Sequence, residues 1–203
     1  MKVLDLFSGL GGWSEAFAQR GYEVIRIENN PLLENVPHTQ LKCVLELRDY
    51  LLECQQRGYE IQRPDILMAS PPCYEFSNAF SAPKSIYVRE NGSLDNYTPN
   101  MELLIATLDI VKIVKPKYWI IENVVGAIRY FEKYLGKPRQ ILGAYVLWGN
   151  YPEIILQGEL PTKSSKDKRH SPIRSNYRAE IPFPLSMALL TGILEQRSLF
   201  DFV

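Results

Sequence analysis

The sequence offers little to a disulfide or a metal. Its 203 residues include three cysteines, Cys43, Cys54 and Cys73, and two histidines, His38 and His170. An odd cysteine count with no Cys-x-x-Cys pair argues against a disulfide scaffold and against structural zinc. A reducing, cytoplasmic setting is the expectation that follows. The two histidines show no metal-ligand spacing, so no metal site is expected. Net charge is missing as well, because 23 Lys plus Arg balance 23 Asp plus Glu. A nucleic-acid partner therefore cannot be argued from overall charge, and any basic face must be local. Long apolar runs are also absent. The most apolar stretch, Leu103 to Val114, carries Asp109 and Lys112 and is too short to span a bilayer. Asp5 breaks the apolar run a signal peptide would need. No membrane partner is expected, and there is no internal repeat.

What is present suffices for one domain with a sizeable core, since 46% of residues are hydrophobic. Lys2 to Phe7 reads as a buried strand, followed by the glycine-rich turn Ser8-Gly9-Leu10-Gly11-Gly12. Trp13, Ala16, Phe17 and Arg20 fall at helical spacing, and Gly21 stops that helix. Glu23 to Ile27 is a second strand ending at Glu28, with turn chemistry in Asn29-Asn30-Pro31. Leu45 to Gln56 reads as a helix. Ile66 to Ala69 is a third strand, leading into Ser70-Pro71-Pro72-Cys73. Tyr74 to Pro99 shows no clear period and is expected to be a long functional loop. Met101 to Val114 is an amphipathic helix. Tyr118 to Ile121 is a fourth strand ending at Glu122-Asn123, and Pro184 to Gln196 is a final helix. Alternating strands and helices predict an α/β fold with a doubly wound, mostly parallel sheet.

In such a sheet, ligands bind outside the carboxyl ends of the strands. Three clusters fall there: Phe7 to Gly12, Glu28, and Pro71 to Cys73. Glycines let a backbone turn tightly and approach a ligand. A carboxylate about 20 residues after such a turn suits two ribose hydroxyls. The turn lacks the Lys-Ser/Thr ending of a triphosphate-binding loop, and an ordinary strand-to-helix turn is the alternative reading when it is taken alone.

The reacting end offers one thiol and one carboxyl group. A thiolate that can add to an electron-poor carbon, with an acid group beside it, is the arrangement of covalent catalysis. Cys73 follows a strand and two prolines that fix the backbone. Glu122 ends the next strand, so the two can face one pocket. Cys43 and Cys54 sit at apolar or helical positions and read as buried packing groups.

These residues resemble the DNA cytosine-5 methyltransferase family, in its short phage or prophage form. Asp5-Leu6-Phe7-Ser8-Gly9-Leu10-Gly11-Gly12 looks like its cofactor motif. Ser70-Pro71-Pro72-Cys73 with Glu75-Phe76-Ser77 looks like its nucleophile motif, and Ile121-Glu122-Asn123-Val124 like its Glu-Asn-Val motif. The resemblance implies a Rossmann-like catalytic domain that moves a methyl group from S-adenosylmethionine to C5 of cytosine in DNA. It implies cofactor contacts from Phe7, Ser8, Gly9, Gly11, Gly12, Glu28, Asn29 and Pro72, and a loose match for Glu46, with Asp49 as its rival. Cys73 is implied as nucleophile at C6, and Glu122 as the group at N3. The base-contacting Gln-x-Arg-x-Arg motif is absent, and Arg174 and Arg178 are the candidates for its role. A flipped or single-stranded cytosine is required. Ser77, Asn78, Lys84, Arg89 and Asn123 are candidates to hold DNA, as are Lys168 and Arg169 in the basic run Lys163 to Arg178.

The expected organisation is one domain over 1–203: a core over 1–150, a reduced DNA-facing segment over 151–180, and a returning helix over 181–203. With so little recognition surface, a partner subunit is a further expectation. An RNA cytosine methyltransferase and a non-catalytic binding relative remain as alternatives.

Overall fold

The computed structural model describes residues 1–161 and 170–196. Among the described residues, seven strands form one sheet: β1 (Lys2–Leu6), β2 (Glu23–Glu28), β3 (Thr39–Leu41), β4 (Ile66–Ala69), β5 (Tyr118–Asn123), β6 (Gln140–Leu142) and β7 (Tyr145–Asn150). Their order is β3-β2-β1-β4-β5-β7-β6. The first five run parallel, while β7 is antiparallel to β5, and β6 to β7. The mostly parallel, doubly wound sheet is the architecture expected.

The central strands are buried on both faces, which is why they read as continuous apolar runs. In β4, Ile66 and Met68 join Val3, Val24 and Ile120 on one face, with Trp13, Phe17, Leu185 and Leu189. Leu67 and Ala69 join Leu6, Ile27 and Ile121 on the other, with Val44, Leu104, Ile110 and Phe131. The first face is covered by helices α1 (Glu15–Gln19) and α7 (Phe183–Glu195). The second is covered by α2 (Val44–Gln56), α4 (Glu102–Val114) and α5 (Ile128–Leu135). The other α-helices among the described residues are α3 (Pro83–Asn91) and α6 (Arg174–Ala179).

Several elements depart from expectation. The segment Tyr74 to Pro99 is not wholly irregular, because α3 occupies its middle. Pro83 starts α3 in the first turn, where a missing N–H costs nothing, and Gly92 ends it at φ 79. The apolar period is masked because a lysine, Lys84, takes the buried position. Helix α1 is shorter than expected, since Trp13 and Ser14 still belong to the turn. Helix α5 and the hairpin β6–β7 were not expected. Ile128, Phe131 and Leu135 do carry helical spacing, whereas β6 is three residues long and gains its identity only from pairing with β7.

The chain winds from β1 to β2 and β3 on one side, then crosses to β4 and β5 on the other. The switch point thus lies between β1 and β4, where α/β sheets place their ligands. Among the described residues, no helix is long and apolar enough to cross a membrane.

Candidate active site

The carboxyl ends of β1, β2 and β4 open into a cavity of about 780 Å³. Its floor is the glycine turn. Phe7 has φ 56, Gly9 φ 54 and Gly11 φ 82, so three left-handed residues fall within five positions. For a residue as bulky as Phe7 this conformation is strained, a condition that concentrates at ligand-binding turns. Neighbouring bonds hold it in place, with Ser8 N–H donating to Ile27 O at 3.1 Å and Gly11 N–H to Ser8 O at 2.7 Å.

Glu28 ends β2 at the wall of this cavity. One carboxylate oxygen accepts from Gly9 N–H at 2.8 Å. The other accepts from Asn29 N–H at 3.0 Å and Asn30 N–H at 2.9 Å. Three backbone donors fix its plane, and about four lone-pair sites leave capacity for a ligand hydroxyl.

Cys73 lines the same cavity four residues beyond β4, with Pro72, Tyr74 and Ser77. Arg174, Asn176 and Arg178 line it from α6. Asn30 Nδ2 donates to Asn176 Oδ1 at 3.4 Å, tying α6 to the Glu28 end. Glu122 and Asn123, at the end of β5, are buried behind the lining. Asn123 Nδ2 donates to Pro71 O at 2.9 Å, which couples the end of β5 to the segment carrying the thiol. Trp13 Nε1 donates to Ser70 Oγ at 2.9 Å and ties the glycine turn to the same segment.

The structure therefore brings Phe7, Ser8, Gly9, Gly12, Glu28, Asn29, Pro72, Cys73, Ser77, Arg174 and Arg178 to one cavity. Gly11 lies beneath it, because a Cβ there would sit 2.2 Å from Arg26 Cζ. Glu46 does not line the cavity. It is exposed on the first turn of α2, where its carboxylate accepts from Cys43 N–H at 3.3 Å in a capping box. Asp49 is also exposed on α2, paired with Arg48 at 2.8 Å. Lys84, expected at DNA, is instead 7% exposed, with its ammonium beside Gly126. Burial lowers its pKa, helped by the charge of Arg129. Asn78 and Arg89 are exposed outside the lining, and Arg89 lies 4.0 Å from the Phe80 ring and donates to Phe80 O at 2.8 Å. Lys168 and Arg169 lie outside the described residues.

Sequence reasoning passed over Trp13, Asn30, Asn176 and Arg26. For Arg26 a signal existed: an arginine inside the apolar run Val24 to Ile27, facing an aspartate inside Val3 to Leu6.

The C-5 cytosine-specific DNA methylase family matches residues 1–135. The Type II methyltransferase M.HgiGI of Herpetosiphon aurantiacus is 30% identical over 132 residues, covering 63% of this chain and 93% of the relative. M.HgiDI of the same organism is 27% identical over 129 residues, covering 63% of this chain but 38% of the relative, so this chain spans well under half of that protein. A prophage-encoded Escherichia coli protein described as a DNA modification methyltransferase superposes with a TM-score of 0.49 at 18% identity, over 80% of this chain and 52% of that one. With a matching region that runs from the glycine turn through Cys73 to Glu122 and on into α5, the chain belongs to the C-5 cytosine-specific DNA methylase family.

Proposed function

We propose that the protein transfers a methyl group from S-adenosylmethionine to C5 of cytosine in DNA, with Cys73 as covalent nucleophile. The carrying observation is that Cys73 and the glycine turn, with Glu28, line one cavity. That cavity fits the cofactor in kind. Its volume of about 780 Å³ suits a nucleoside-sized ligand plus a base. Its glycine floor allows close backbone approach, and Glu28 presents a fixed carboxylate to ribose hydroxyls. When bound, S-adenosylmethionine supplies an electrophilic methyl group on a sulfonium.

The chain's own residues do the rest. Phe7, Ser8, Gly9 and Gly12 cradle the cofactor, with Asn29 and Pro72 beside it. The Cys73 thiolate adds to C6 of an extruded cytosine while Glu122 holds a proton at N3, so the ring's electron density moves to C5. Transfer of the methyl group to C5 would leave S-adenosylhomocysteine; solvent water then takes the C5 proton as the C6–S bond breaks, the N3 proton returns to Glu122, and the Cys73 thiolate leaves with the aromatic ring restored. Arg174 and Arg178 face the base and its phosphate from α6. Ser77, Asn78 and Arg89 extend the DNA-facing side, and Lys168 and Arg169 are phosphate-binding candidates by their charge. The unit acts as a single catalytic domain in the cytoplasm of a bacterial or phage-infected cell, and a partner subunit supplies further sequence recognition.

The test is incubation with methyl-labelled S-adenosylmethionine and mixed DNA or RNA oligonucleotides, followed by nucleoside analysis. Label in 5-methyldeoxycytidine supports the reading. Label only in RNA moves the substrate to RNA, and cofactor binding without transfer to either reduces the chain to a binding relative.

A further inference from the structure

Two charges buried beneath the glycine turn have no part in the chemistry proposed above. Asp5 and Arg26 are each 1% exposed and are partners in the β1–β2 register. Arg26 Nε donates to Ser14 Oγ at 2.8 Å and Nη1 to Pro37 O at 3.0 Å. Nη2 donates to Gly11 O at 3.1 Å and to Glu15 Oε2 at 2.9 Å. Ser14 Oγ in turn donates to Asp5 Oδ2 at 2.6 Å. Burying a guanidinium is costly, and apolar replacements of buried charge networks are often neutral or stabilising. The neighbouring positions on the same face, Val3 and Val24, are apolar. A fourfold-bonded arginine at 26 is therefore explained by what it orients, and that is the turn. From the end of the same strand, Glu28 accepts the amide of Gly9.

We infer that Arg26 is a positioning residue for the cofactor turn: β2 grips the turn at two points, Glu28 on the amide of Gly9 and Arg26 on the carbonyl of Gly11, and so holds it in its ligand-binding shape before the ligand arrives. The inference rests on reading this turn as the S-adenosylmethionine site. A turn with left-handed residues at 7, 9 and 11 relaxes when its anchors are removed, and the ligand must then re-form it at a cost in affinity. The planar guanidinium reaches acceptors on Ser14, Pro37, Gly11 and Glu15 at once. A lysine keeps the charge but not that fork.

The test uses the whole chain. S-adenosylhomocysteine affinity is measured by calorimetry, together with KM for S-adenosylmethionine and for DNA, in the wild type, Arg26→Lys, Ser14→Ala and Glu15→Gln. The expected result for Arg26→Lys is a ten- to hundredfold loss of cofactor affinity, with kcat at saturating cofactor and KM for DNA near wild type. Ser14→Ala and Glu15→Gln are expected to lose three- to tenfold. A purely structural role would lower the folded fraction and leave KM of the folded protein unchanged. Wild type that fails to bind S-adenosylhomocysteine overturns the reading of the site, and this inference with it. Wild type that binds, with all three variants within twofold of it, overturns the role of Arg26 alone. If Arg26→Lys does not fold, Ser14→Ala and Glu15→Gln decide by the same criterion.

Discussion

Asp5 is fully buried, and loss of hydration pushes its carboxyl from 3.8 up to about 6, against the Ser14 hydrogen bond and the charge of Arg26. A folded value raised above the unfolded one contributes stability that is complete below pH 3.8 and lost as pH rises through about 6. That gap corresponds to about 3 kcal/mol. Urea unfolding across pH 4 to 7 should therefore show the wild type losing about 2–3 kcal/mol relative to Asp5→Asn. A pH-independent difference would contradict this origin. At the reacting end, Arg174 and Arg178 are exposed on α6 at the cavity. Replacing Arg178 with Gln should leave thermal stability nearly unchanged, and replacing either arginine should lower DNA affinity and weaken its salt dependence by about one ion per charge removed. Unaltered salt slopes would remove these arginines from the DNA. The positions of Cys73 just beyond β4 and of Glu122 at the end of β5 were legible because each ends or follows an apolar strand with distinctive neighbours. Lys84 was not, because nothing in its local sequence distinguishes a buried lysine from a solvated one.

At the scale of elements, the return of the chain after α6 closes the site. The glycine at position 12 lies against the backbone of Ile181, and a Cβ there would come within 2.3 Å of Ile181 O. Ser186 on α7 accepts from Ala16 N–H at 3.2 Å and donates to Trp13 O at 2.5 Å, binding α7 to the glycine turn. Gly12→Ala must push the 181 segment away, and should cost about 1–3 kcal/mol of stability by the scale of overpacking. Cofactor affinity should fall with it, since the turn moves too. A variant of wild-type stability would show that the segment yields freely. For α3, Gly92 sits at φ 79 in open space, so Gly92→Ala should cost only about 1 kcal/mol of backbone strain, again read by urea unfolding. Helix α3 was hidden within Tyr74 to Pro99 because its buried side is small or polar. Helix α5 was visible in Ile128, Phe131 and Leu135 had that spacing been followed. The β6–β7 hairpin is set by pairing across the sheet, which local pattern does not encode.

At the scale of the whole molecule, alternation of apolar strands with helices was enough to give the wound sheet, and with it the end at which a ligand sits. The order of β7 and β6 beyond β5 was not readable, because antiparallel additions at an edge follow from tertiary packing. What the topology accomplishes is convergence. The end of β2 brings Glu28, the turn after β1 brings the glycines, the segment after β4 brings Cys73, and α6 brings two arginines to one cavity. That convergence yields the central claim, a covalent bond between Cys73 and C6 of cytosine. It is tested most directly with S-adenosylmethionine and DNA containing 5-fluorocytosine, in which the fluorine at C5 cannot leave as a proton does. The predicted result is a denaturation-resistant protein–DNA adduct that maps to Cys73 and is absent from Cys73→Ser. Methylation of ordinary DNA with no adduct on the fluorinated strand, or retained transfer in Cys73→Ser, would contradict it.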